Sequence, residues 1–234
     1  MSGPQFPPLF QALATAGADP MAVACAEAHA GCDAGLVAYD ITLDALRAAI
    51  VFAPEVPLCE AMIMLPICGI GFQNALGALA PPEVSVHLEW GGGIRVNGAR
   101  CGALQVMAAP EDPDIEPDWL VVGLTLTLWS EGSEKGTRPD ETTLFDEGCS
   151  EVDATGLLEA WARHTLVWIN RWGDEGVKPV HDEWTGLAHG IGESATISTQ
   201  SGRFLGVDES FGMLLQGADE TAMIPITQTL TPAT

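Results

Sequence analysis

The chain has 234 residues, 47% of them hydrophobic and 18% charged, which suits one sizeable domain with a small appendage and is too apolar for disorder. Thirty-two acidic against nine basic residues give a formal charge of −23, so nucleic acid and anionic membrane surfaces, which need a basic stripe, are excluded as partners. No run reaches the roughly 18–20 uninterrupted apolar residues of a membrane span, the N-terminus has no signal-like pattern, and six cysteines without a C-x-x-C pair fit free thiols, so a cytoplasmic location is expected.

Residues 1–18 are Pro-rich and predict a loosely structured lead-in. Asp19-Pro20 sets an N-cap before a proline at the first helical position, so a helix is expected over Met21–Ala30. Gly35–Tyr39 and Ala48–Ala53 read as short buried strands, with Asp40–Arg47 between them as a loop or short helix. From Pro57 to about Leu79 the apolar residues recur at helical spacing, giving one long, kinked, largely buried helix in which Pro66 is a kink or an N-terminal break. Glu83–Trp90 then alternates, with Val84, Val86, Leu88 and Trp90 on one face and Ser85, His87 and Glu89 on the other.

Gly91-Gly92-Gly93 and Ile94-Arg95-Val96 lead to Asn97-Gly98, a strong type I′ hairpin signal because both residues tolerate positive φ; a further strand runs through Val106. A polar loop over Ala109–Asp118 precedes an alternating strand over Trp119–Trp129. Ser130–Asp153 is acidic and aperiodic and predicts a solvated excursion. Asp153 or Thr155 should cap a helix with the apolar stripe Leu157, Leu158, Trp161, Thr165, Trp168, Ile169 and Trp172. A second helix follows Pro179. Beyond Ser194, four short strands (Ala195–Thr199, Arg203–Val207, Met213–Leu215 and Met223–Thr227) suggest a small sheet or SH3-like barrel.

The order of these pieces resembles the biotin and lipoate protein ligase family. That family carries a strand ending in Trp-Pro-Asn-Asp, a hairpin, a Lys-x-x-Gly-Ile strand and a later Gly-Ile-Gly-Ile-Asn strand. In this chain Trp90 matches the tryptophan, Asn97-Gly98 the turn, Arg100 the lysine and Ala103-Leu104 the Gly-Ile pair, while Val121–Leu126 is similar to the later strand. Gly202–Leu215 resembles the small β domain of the bacterial members.

The resemblance implies an α+β fold of the class II synthetase type, with a mixed, largely antiparallel sheet packed with helices over 1–192 and a small SH3-like β domain over 193–234. It implies ATP with magnesium and biotin or lipoate as cofactors and ligand, and a biotinyl or lipoyl carrier domain as partner, with a homodimer as the assembly. Carried onto this sequence, Arg100 is the catalytic position, and Arg47, Trp90, Gly91, Gly92, Gly93, Arg95, Gly102, Ala103, Leu104 and Gly123 line the ligand site.

The departures bear on chemistry. The family's glycine- and arginine-rich loop, which closes over the acyl-adenylate, is represented only by Ile41–Arg47, with one arginine and one acid. Gly92 and Gly93 replace the Asn and Asp that would hold metal or nucleotide. Arg100 keeps a charge but not the lysine's shape, and Ala103 stands where a glycine would let backbone approach the ligand. Two functions are therefore carried forward: a ligase-fold protein that binds an acyl group or acyl-adenylate, and a non-catalytic binding or regulatory module, a pseudoenzyme.

Other constellations are weak. Cys25, His29 and Cys32 have near-helical spacing but no fourth zinc ligand, so no metal site is expected. The glycine triplet could cradle an anion, yet it precedes a strand and reads equally as a turn. There is no Gly-x-Ser-x-Gly elbow, and His164 and His181 read as structural or exposed.

Overall fold

The computed structural model describes residues 3–130 and 140–232. Its framework is a seven-stranded mixed sheet built from β1 (Gln11–Ala14), β2 (Leu36–Ile41), β3 (Ala45–Phe52), β4 (Val86–Leu88), β5 (Gly93–Val96), β6 (Ala99–Ala109) and β7 (Trp119–Thr127), in the order β1-β2-β3-β7-β6-β5-β4. Only β1 and β2 pair in parallel; every other neighbouring pair is antiparallel. The helices are α1 (Pro20–His29), α2 (Leu58–Ala61), α3 (Met64–Leu79), α4 (Ala154–Glu175) and α5 (Val177–Leu187). A four-stranded antiparallel meander follows: β8 (Ser194–Ile197), β9 (Gln200–Val207), β10 (Met213–Gln216) and β11 (Thr221–Ile224).

Alternation along the central strands assigns the two faces of the large sheet. Leu46, Ile50, Val122, Leu124 and Leu126 belong to the main core with α3 and α4, whereas Ala49, Val51, Trp119 and Val121 belong to a second, smaller cluster with Ala24 and Ala28 of α1. Thus α3 and α4 cover one face. The short helix α1 covers part of the other. Its start follows the expected chemistry, since the Asp19 carboxylate accepts from the Met21 and Ala22 amides and Pro20 opens the first turn.

Several expectations need correction. The lead-in contains β1, whose parallel partner β2 lies across α1 in the chain, beyond the reach of a local signal. The expected loop over Asp40–Arg47 is a tight hairpin: Asp40 pairs with Arg47 and Ile41 with Leu46, leaving Thr42-Leu43-Asp44 as the turn. The helix expected from Pro57 is split between Ala61 and Met64, with Pro66 in the first turn of α3, where its missing N–H costs no helical bond. Leu58–Leu79 together is long and apolar enough to cross a membrane, but 72% of its most apolar window is buried in this core. The acidic stretch is not wholly a solvated excursion either. Within its described part, Thr143, Leu144 and Cys149 are buried, and Arg100 exchanges main-chain hydrogen bonds with Asp140 and Thr142.

Candidate functional site

Cross-strand register brings one row of residues together on the face that α1 leaves partly open. Asp40 lies beside Arg47, Arg47 beside Thr125, Thr125 beside Ala103, and Ala103 beside Gly93. At about 4.8 Å per strand, Arg47 and Gly93 stand about 14 Å apart on this face. Thr125 and, one row on, Gln105 are exposed, while Arg47 and Ala103 are half-buried. Gly123 sits opposite Gln105 and Ala49, but Met21 of α1 lies over it, its Sδ 2.8 Å from where a Cβ would stand.

Ion pairs stand at both ends of the row. At one end Arg47 Nη1 is 3.8 Å from the Asp40 carboxylate, which also accepts from the Gly17 amide at 3.1 Å. At the other, Glu89 binds two arginines: Arg95 Nε donates to Oε1 at 2.6 Å and Arg100 Nη2 donates to Oε2. Arg95 also donates to the Gly98 carbonyl at 2.7 Å. Burial pushes the Glu89 carboxyl up, but the hydrogen bonds and charges of Arg100 and Arg95 more than offset this and hold its pKa below the ordinary value.

The turn that places Glu89 depends on glycine twice. The Gly92 amide donates to the Glu89 carbonyl with φ +91°, and the Glu89 amide donates to the Gly93 carbonyl at 2.8 Å. A Cβ on Gly93 would lie 2.7 Å from Glu89 Cδ and 3.1 Å from Arg100 Nη2, so the carboxylate rests over the bare backbone of this residue. Gly102 has a strand-packing role, since a Cβ there would meet Leu126 Cδ1 at 2.9 Å. Gly91 is exposed with open space around it.

Trp90 does not share a wall with Arg100, as the sequence suggested. Its indole N–H donates to the Phe211 carbonyl at 2.7 Å, and the residue is buried at the seam with the C-terminal meander, on the opposite side of the chain from Glu89. Beside it is a recess of about 300 Å³, counting space open to solvent, whose lining includes Leu65, Trp90, Gly92, Gly93, Leu104 and Phe211. Of the expected ligand residues, Trp90, Gly92, Gly93 and Leu104 gather there. Arg47, Gly91, Arg95, Arg100, Gly102, Ala103 and Gly123 do not line it.

Sequence reasoning missed Glu89, Asp40, Thr125, Gln105 and Met21. The available signals were Glu89 on the polar side of its alternation and Thr125 as a hydroxyl between Leu124 and Leu126 of a largely apolar strand. His181 packs on Phe211 at 5.5 Å between ring centroids, with its Nε2 buried and unpartnered, and burial followed by the Arg163 charge pulls His164 down. Burial, reinforced by Asp19, pushes the Cys25 thiol up to about 11. Among the described residues, no three His, Cys, Asp or Glu side chains group to hold a metal ion.

A mixed sheet with helices on both faces and an appended antiparallel sheet is the fold of the biotin protein ligases. Residues 6–186 match the model of the biotin/lipoate A/B protein ligase family, and the chain belongs to that family. Residues 191–232 match a domain of unknown function, DUF4444. Among solved structures, a biotin protein ligase-like protein of unknown function from Silicibacter sp. TM1040 is 58% identical, with a TM-score of 0.93 over 98% of this chain and 100% of that one. The biotin protein ligase from Aquifex aeolicus shares the fold at 13% identity, with a TM-score of 0.74 over 92% of this chain and 95% of that one. That from Leishmania major, in complex with biotin, does so at 14% identity and a TM-score of 0.58, over 93% and 98%. No match was found among curated proteins.

Proposed function

We propose that this protein keeps the small-acyl-ligand face of the ligase fold but does not make an acyl-adenylate. The observation that carries this is the state of the cations on that face. Arg47 is engaged by Asp40, Arg95 and Arg100 are engaged by Glu89, and the position of the family's cationic loop is a three-residue turn. A nucleotide triphosphate brings several negative charges into a field already set by a net −23, and the described residues offer it no open cationic cradle. They do not fit ATP with magnesium. A single carboxylate on a biotin-, lipoate- or octanoate-like molecule asks for less, and Thr125 and Gln105 supply exposed polar contacts between the two ion-paired ends.

In this reading Ala103 and Gly123 keep the floor of the face shallow, Met21 forms its movable edge, and Arg100 binds rather than catalyses. A biotinyl or lipoyl carrier domain is the partner only for an acyl group that arrives already activated, as an acyl-adenylate or thioester whose AMP or thiol leaves on transfer, because the free acid has no leaving group to give up. The test titrates the purified protein separately with biotin, lipoate, octanoate and magnesium-ATP by calorimetry and assays AMP release with all components present. Binding of one acyl acid without AMP release is the expected result. AMP release would restore the adenylating enzyme, and no heat with any acid would leave the non-catalytic protein-binding module.

A further inference from the structure

Glu89 spends both carboxylate oxygens on two guanidiniums, an arrangement that would otherwise suit a phosphate or pyrophosphate group. The Glu89 and Arg95 side chains are each 19% exposed, so the pair is largely withdrawn from water, whereas Arg100 is 53% exposed and opens the cluster to solvent. The carboxylate is held by a short turn, Glu89 amide to Gly93 carbonyl and Gly92 amide to Glu89 carbonyl, and lies where a side chain on Gly93 would be. The arginines are fixed from the other side, Arg95 by the Gly98 carbonyl and the Arg100 main chain by Asp140 and Thr142.

We infer that Glu89 is a specificity-determining residue of this face: seated over Gly93, its carboxylate occupies the Arg95–Arg100 guanidinium pair as an internal anion and so turns phosphate-bearing ligands away. An external anion gains access only in the fraction of molecules whose Glu89 has swung out, and its apparent affinity is reduced by that fraction. The absent side chain at position 93 is part of the device, since a methyl group there would push the carboxylate off the pair. This inference rests on the same face as the reading above, but its test uses no acyl ligand, so either can fail without the other.

The probe is inorganic pyrophosphate, titrated calorimetrically at fixed ionic strength into the full-length protein and into Glu89→Gln, Gly93→Ala and the double variant Glu89→Gln/Arg100→Gln. The wild type should bind weakly, and the first two variants at least about tenfold more tightly, one unit of log affinity or about 1.4 kcal/mol. The double variant should lose that gain. A salt bridge that merely stabilises the fold would give lower melting temperatures without any gain in pyrophosphate binding, and that outcome in folded Glu89→Gln overturns the inference. So does undiminished binding by the double variant. Gly93→Ala keeps every charged side chain, but its methyl group would also lie 3.1 Å from Arg100 Nη2. Glu89→Ala, which empties the space and should bind pyrophosphate at least as tightly as Glu89→Gln, therefore decides the matter if Glu89→Gln does not fold.

Discussion

A carboxylate held between two guanidiniums responds to pH in one direction. Burial raises the Glu89 pKa, Arg100 and Arg95 lower it by more, and the folded value lies below the unfolded one. The stabilisation is therefore complete above the unfolded value of about 4.3 and is lost as pH falls from there through the folded pKa. Glu89→Gln should show a shallower fall of melting temperature below about pH 4.3 than the wild type; an unchanged acid limb would mean the pair contributes nothing to the fold. The residue itself was visible as a polar position in an alternating strand. Its partners were not, because Arg95 and Arg100 become opposite one another only through the register shift after Ile94.

Local signals located those elements that carry their own chemistry. Asp19 and Asp153 cap α1 and α4 through side-chain hydrogen bonds, and Asn97 and Gly98 take φ of +49° and +92° in the predicted turn. The stripe of α4 is buried from Leu157 to Trp168 as its spacing demanded, with Ile169 and Trp172 half-buried beyond it and the Trp161 indole donating to the Cys68 carbonyl of α3. What spacing could not give was how near the two helices come. A Cβ on Gly71 of α3 would sit 2.6 Å from Thr165 Oγ1 and 2.9 Å from its backbone nitrogen. Because the obstacle includes main chain of α4, Gly71→Ala should destabilise the protein by about 1–3 kcal/mol in urea unfolding, despite alanine's better helix propensity. A neutral or stabilising result would show that α3 and α4 can part cheaply.

At the scale of the molecule, Phe211 of the β9–β10 turn is one of the contacts that join the meander to the rest of the fold; beyond the meander, the Thr231 amide also donates to the Val106 carbonyl of β6. Phe211 accepts the Trp90 indole through its carbonyl, and its ring meets Trp184 edge-on at 5.9 Å and His181 at 5.5 Å. Aromatic pairs of this geometry couple by about 0.5–1.5 kcal/mol beyond the area they bury. A double-mutant cycle of Phe211→Ala and Trp184→Ala, read by urea unfolding, should return a coupling in that range, with Phe211→Ala alone costing about 3–5 kcal/mol. Strict additivity would mean that the meander is held elsewhere. The junction also bears on the site, because Trp90 lies within the turn that seats Glu89.

Composition, caps, the Asn-Gly turn and the alternating strands marked a folded chain of mixed helices and strands, because each is a property of neighbouring residues; the ligase family itself came from the resemblance of its motifs, from Trp90 to Gly202–Leu215. The poverty of cations in Ile41–Arg47 was legible in the same way, but its closure as a three-residue turn was not. Tertiary structure alone decided where the charges meet. Arg47, Thr125, Ala103 and Gly93 come from four strands and align only through hydrogen-bond register, and a shift of one position would send each side chain to the opposite face. That is why three arginines that looked available for an anion in the sequence are, in the fold, already paired with Asp40 and Glu89.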